Sequence, residues 1–185
     1  MIDLKKILTE EKQAKRKGRL YHKTQVSLAY NSNRIEGSRL SEEQTRYIFE
    51  TRTIGFKEDE ALPVDDIIET SNHFVAFDFM IDSIDEPLSN EIIKTFHRIL
   101  KSGTADAAKP WFRVGDWKKL PNEVGGMGTT LPQEVDTEMN KLNTRYNELP
   151  VIEFETIVEY HYRLEQIHPF QDGNGRVGRL IMFRE

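Results

Sequence analysis

The chain has no cysteine among its 185 residues. That absence removes a disulfide scaffold, a thiolate metal site and a cysteine nucleophile together. No stretch approaches the roughly 18 apolar residues a helix needs to cross a bilayer, so no membrane partner is expected. The N-terminus, MIDLKKILTEEKQAKRKG, is charged throughout and lacks the apolar core of a secretory signal. The formal net charge is -5 and no Lys/Arg run is long enough to track a phosphate backbone, so nucleic acid is not the expected partner either. The most basic stretch, residues 12–19, reads as the solvated face of an N-terminal helix. These absences are compatible with a reducing compartment, and the expected location is cytoplasmic.

The composition that remains is that of a packed protein, with 37% hydrophobic and 31% charged residues. Its length suits one domain, and neither a linker nor an internal repeat divides it, so a single domain over residues 1–185 is expected. Helical spacing dominates, and the fold class is mainly α. A helix is predicted over residues 20–36, ended by Gly37. Ser41 and Gln44 have the form of a capping box and should open a short helix through Phe49. Pro63 stands at the head of a longer helix. Ser89 can cap another, in which Ile92, Ile93, Phe96, Ile99 and Leu100 recur at helical steps. Between residues 110 and 130 the helical stripe disappears among glycines, prolines and two tryptophans, and WFRVGDW followed by GGMG reads as a β-hairpin. Helical spacing resumes at Val135, and again after Pro150 with Phe154, Ile157, Val158, His161 and Leu164. His161 on that stripe reads as a core histidine, and His22, His73 and His97 have no metal-ligand spacing. Trp111 and Trp117 read as packing residues. The chain stops six residues after Arg179, in mid-helix by its pattern, which suggests that part of the natural C-terminus is missing.

The segment with chemical content is HPFQDGNGRVGR, His168 to Arg179. Pro169 should stop the preceding helix, because a residue before proline is driven out of the α region. Gly173 and Gly175 flank Asn174 and permit a backbone that aims successive N–H groups at one point. A glycine-rich turn that opens a helix is an anion site, since the first helical N–H groups lack partners and the dipole favours negative charge. Arg176 and Arg179, three apart, share a helix face, and guanidinium groups suit phosphate oxygens. Asp172 at the mouth of the turn suggests a Mg²⁺ ligand beside those phosphates. His168 is the side-chain type suited to take a proton near neutral pH, with an unperturbed pKa of about 6.5. Each feature alone has a plain structural explanation: a cap, a turn, a solvated face. All of them within twelve residues point to a nucleotide site.

This segment resembles the signature of the Fic family, HxFx(D/E)GNGRxxR, and fills every specified position. The resemblance implies a helical bundle with a β-hairpin flap over residues 110–130, beside the active site. It also implies a protein adenylyltransferase that moves AMP from ATP to a hydroxyl of a target protein. By that resemblance His168 is the catalytic base and Asp172 holds Mg²⁺. Gly173, Asn174 and Gly175 would cradle the phosphates through backbone N–H groups and the Asn174 side chain. Arg176 and Arg179 would bind the outer phosphates, and Phe170 is a buried anchor. The target would present a Ser, Thr or Tyr hydroxyl; self-labelling and a homo-oligomer are compatible with this reading.

Far upstream, SNRIEG (Ser32 to Gly37) resembles the inhibitory motif of Fic proteins, (S/T)xxxE(G/N). Its position before the core implies the class in which an N-terminal helix, here residues 20–37, carries the inhibitor. Glu36 would then pair with Arg179 and deny the γ-phosphate its place, while Ser32 would steady the helix end or the glutamate. Two other readings stand beside this one. The same fold supports removal of AMP, or transfer of another phosphate-containing group, although Gly175 argues against the kinase branch, which commonly has Lys there. A non-catalytic nucleotide-sensing module is the third, and the intact His168 and Asp172 weigh against it.

Overall fold

A computed structural model of the chain describes residues 3–55 and 61–185. Among these residues there are eight α-helices, one short 3₁₀ turn and one two-stranded antiparallel sheet, so the mainly α class is what folds. Among the described residues no helix is long and apolar enough to cross a membrane. The helices group into two compact units, Met1–Asp82 and Ser83–Glu185.

The first unit contains α1 (Leu4–Gln13), α2 (Leu20–Ile35), α3 (Glu42–Thr51) and α4 (Val64–Asp82). The capping box forms as read: Ser41 accepts from the Gln44 N–H, and the Gln44 side chain accepts from the Ser41 N–H. α2 ends at Glu36, its C-cap, and Gly37 turns the chain with φ +94°. Ala29, Leu40, Ile48 and Phe74 form the apolar centre, with Phe49, Ile54, Leu62 and Ile67 against it. Polar groups tie α4 to its neighbours. Gln25 is fully buried and donates to the Phe74 carbonyl and to Asp78, and Lys12 donates to the Asp78 carbonyl and to Asp82.

The second unit contains α5 (Asn90–Lys101), α6 (Val135–Asn147), α7 (Phe154–Ile167) and α8 (Asn174–Arg184). Ser89 caps α5 through the Ile92 N–H. Val177, Leu180 and Ile181 of α8 are buried with Phe96 and Leu100 of α5 and Leu164 of α7. The end of α8 is anchored by Arg184, whose buried guanidinium donates to the Ser83 and Glu86 carbonyls.

The sheet is smaller than the sequence suggests. Its strands are β1 (Glu123–Val124) and β2 (Met127–Gly128), paired Val124 to Met127 and Glu123 to Gly128. Gly125 and Gly126 both have positive φ, as a two-residue hairpin of the primed type demands. WFRVGDW is not a strand: the Phe112 and Asp116 N–H groups close local turns on the Lys109 and Arg113 carbonyls, and further bonds tie this segment and the residue after it elsewhere. The Gly115 N–H donates to His97, the Lys118 N–H donates to the Pro169 carbonyl, and the Trp117 indole N–H donates to Asp136. Trp117 is buried, as a packing residue should be, whereas Trp111 is largely exposed.

Candidate active site

α7 closes with the His168 N–H bonded to the Leu164 carbonyl, and His168 then takes the left-handed conformation, φ +50° and ψ +63°. A non-glycine residue there costs about 1–2 kcal/mol. Pro169 excludes the right-handed alternative. The result is a sharp exit that lifts the imidazole out of the helix line. Its side chain is 18% exposed, with Nδ1 3.6 Å from the Glu165 carboxylate one turn earlier.

Phe170 is completely buried and fixes the following loop. Its ring stacks flat on His97, centroids 4.0 Å apart, and leans on Trp117. The Phe170 N–H donates to Asn174 Oδ1, and Asn174 Nδ2 donates back to the Phe170 carbonyl. The side-chain amide of Asn174 is therefore committed to closing the loop. What Asn174 presents at the head of α8 is its backbone N–H, since side-chain oxygen and nitrogen are both engaged inside. Gly173, with φ +83°, is the N-cap of α8. An added Cβ there would make only ordinary contacts with His97 and Lys101, so the backbone angle is what requires glycine.

Asp172 sits at the loop mouth with its side chain 45% exposed. Its Oδ2 accepts from Lys101 Nζ at 2.7 Å and from Arg176 Nη2 at 3.1 Å. Burial works to raise the Asp172 carboxyl, but the Lys101 and Arg176 charges outweigh it and hold it below the usual carboxylate range. Lys101 is itself buried and bridges to Asp106 at 3.0 Å. Arg176 is buried too, whereas Arg179, three residues on, is only partly covered. Close packing of α8 on α7 depends on Gly178, where an added Cβ would lie 2.7 Å from the His161 ring.

His97 and Lys101 escaped the sequence reading. They stand four apart on α5, in line with Ile93, inside the buried face rather than on the solvated one. Polar residues interrupting an apolar stripe at helical spacing were the available signal. His97 accepts the Gly115 N–H at Nδ1 (2.9 Å) and donates from Nε2 to the Asp172 carbonyl (3.2 Å). Burial pushes its pKa down to about 3, so it works as a neutral brace.

This has a consequence for stability. In the unfolded chain His97 binds a proton near its ordinary pKa of about 6.5, whereas in the native protein it stays neutral down to about 3. Between those values the unfolded state holds the extra proton, so stability falls as pH falls, by at most about 1.4 kcal/mol per pH unit. The depressed Asp172 carboxyl acts in the same direction. Chemical denaturation of the wild type at pH 7 and pH 5 should show this slope, and His97→Gln should flatten it even if the variant is less stable at pH 7. Equal slopes in the two proteins would exclude His97 as the source.

The remaining two residues of interest lie in the first unit. Ser32 is buried within α2, and Glu36 is exposed at its C-terminal end.

The arrangement in the second unit is a glycine nest at a helix N-terminus, a carboxylate at its mouth, and an imidazole held at its lip. The Fic/DOC family pattern matches residues 87–184. The chain belongs to the Fic/DOC family. It is 31% identical over 166 residues to a protein named protein adenylyltransferase Fic from Aedes aegypti, covering 83% of this chain and 30% of that one. A protein of the same name from Nematostella vectensis is 29% identical over 163 residues, covering 83% of this chain and 35% of that one. The chain thus spans about a third of the length of these relatives. Among solved structures, a Fic domain containing signaling protein from Bacteroides thetaiotaomicron matches with a TM-score of 0.76 at 25% identity, covering 96% of this chain and 70% of that one. Fic-1 from C. elegans matches with a TM-score of 0.69 at 24% identity, covering 98% and 54%. The fold is the Fic fold.

Proposed function

We propose that this protein is an adenylyltransferase that moves AMP from ATP to a hydroxyl side chain of a protein. The observation that carries this reading is His168, raised on a left-handed turn at the lip of the α8 nest. The names of the relatives at about 30% identity support it. In the reaction, His168 takes the proton of the incoming hydroxyl and its oxygen bonds to the α-phosphorus. The bond from that phosphorus to the β-phosphate oxygen breaks, and pyrophosphate leaves. The backbone N–H groups of Asn174, Gly175 and Arg176 face the charge that develops on the phosphates, and Arg179 neutralises the outer ones. A glycine nest and two arginines suit this work, because phosphoryl-type transfer rests on positioning and charge stabilisation.

Mg²⁺ fits the carboxylate at the mouth of the nest. Asp172 is ionised, partly exposed and beside the phosphate position, and Mg²⁺ is commonly held by one carboxylate together with substrate phosphates. Among the described residues no group of three carboxylates or histidines would hold a metal by itself. It would offset phosphate charge; Lys101 and Arg176 keep the carboxylate aimed at the mouth.

Glu36 restrains the enzyme in this proposal, on the strength of the SNRIEG motif. ATP labelled at the α- or the γ-phosphate tests the reaction on the wild type and on Glu36→Gly. Transfer of the α label alone is the expected result; transfer of the γ label alone would make the protein a kinase, and no transfer by either form would end the proposal.

A further inference from the structure

Lys118 is almost fully buried, at 2% exposure, yet among the described residues no carboxylate pairs with its ammonium. Its ammonium donates to Asn122 Oδ1 at 2.7 Å, to Thr129 Oγ1 at 2.6 Å and to the Ile167 carbonyl at 3.2 Å. An ammonium has three N–H bonds, and these three neutral oxygens match them. Burying a lysine without a counter-ion is costly, and burial lowers its pKa to about 8. A methionine in an apolar pocket would satisfy packing alone at less cost. The identity of the partners explains why a lysine is kept.

Asn122 and Thr129 flank β1 and β2, and they also bond to each other, with the Thr129 N–H and hydroxyl both donating to the Asn122 carbonyl. Ile167 is the last residue of α7, directly before His168. Around the same point the Lys118 N–H donates to the Pro169 carbonyl, and Asn122 Nδ2 donates to the Phe170 carbonyl. The Leu120 N–H reaches the Gln171 side chain. The ammonium thus joins the base of the hairpin to the residue just before His168, while the Lys118 N–H, the Asn122 amide and the Leu120 N–H hold the residues just after it. The hairpin has only two paired residues in each strand and exposed strand positions, so its own pairing is too slight to hold it.

We infer that Lys118 is a positioning residue that sets the hairpin and the His168 turn in one fixed register. The inference rests on His168 being the base of the proposed reaction. The hairpin borders a groove of about 460 Å³ lined by Val124, Met127, Thr129, Tyr162, Glu165 and Gln166. A substrate segment lying in that groove is thereby held at a constant height relative to the imidazole.

Lys118→Met keeps the length of the side chain and removes its donors. Amide exchange is followed at Thr129, whose N–H closes the hairpin base, and at Val177 in α8 as the reference. The imidazole ¹⁵N signals of His168 report the turn. The expected result is Thr129 exchange faster by about tenfold or more, an amount consistent with losing hydrogen bonds to a charged group. Val177 should be unchanged and the His168 signals displaced or broadened. On the Glu36→Gly background, kcat for AMP transfer should fall by about tenfold, with ATP affinity within about twofold. Thr129→Val, which keeps the shape but removes the acceptor for Lys118 together with the hydroxyl's own bond to Asn122, should give the same pattern at smaller amplitude, and it decides the matter if Lys118→Met does not fold. Unchanged Thr129 exchange, unmoved His168 signals, or equal acceleration at Val177 would each overturn the inference. If no form transfers AMP, the proposed reaction fails, while exchange and imidazole signals still decide whether Lys118 joins the two elements.

Discussion

His168→Ala should reduce AMP transfer by about 10²- to 10⁴-fold, the contribution of a positioned general base, and leave ATP affinity within about threefold. The two outcomes separate because the imidazole and the nest are built by different contacts. The nest is closed by Asn174 on Phe170, braced by His97 and Lys101 on Asp172, and headed by Gly173. None of these passes through the His168 ring. Calorimetric titration of ATP into wild type and variant, beside transfer of the α label to target protein, measures both quantities. Undiminished labelling by His168→Ala would remove it as the base. A parallel loss of ATP binding would mean that the ring supports the nest, contrary to the contacts just given.

Glu36→Gly should act in the opposite direction and raise transfer by about tenfold or more, equivalent to some 1.4 kcal/mol of restraint relieved. The substitution is well placed for a clean result. Glu36 is the C-cap of α2, exposed, and followed by Gly37 in the left-handed region, so the helix is already ending where the side chain is removed. Glycine is tolerated at such a position far better than within a helix. Glu36→Gln retains the shape without the charge and should also release activity if the carboxylate is what restrains the enzyme. Equal rates in wild type and Glu36→Gly, measured at saturating ATP, would remove Glu36 from the regulatory role.

What could be read from the sequence was local. The end of α2, the start of α3, the cap of α5 and the turn at Pro169 all follow from residues within four positions of one another, and the chain folds accordingly. The nest was legible for the same reason: Gly173, Asn174 and the first turn of α8 are contiguous. The parts that stayed hidden depend on distant partners. Lys101 meets Asp172 across 71 positions, and Lys118 meets the Ile167 carbonyl across 49. A lone lysine in a helix or loop resembles every solvated lysine until its partners are known. The hairpin was placed too broadly because WFRVGDW lacks a helical stripe, while its Gly115 N–H is taken by His97 of α5 and the adjacent Lys118 N–H by the signature loop. Asn174 was assigned outward to the phosphates, since nothing in the sequence shows that its amide closes on Phe170.

The left-handed turn at His168 sets chemistry and folding against each other at one codon. Glycine or asparagine adopts φ near +50° with less strain than histidine, so either replacement relaxes the backbone while removing the imidazole proposed as the base. Under the proposed mechanism, drift toward a more robust chain therefore runs toward an inert one. The same property makes His168→Asn a better starting point than alanine for a well-folded form of the protein without the imidazole proposed as the base.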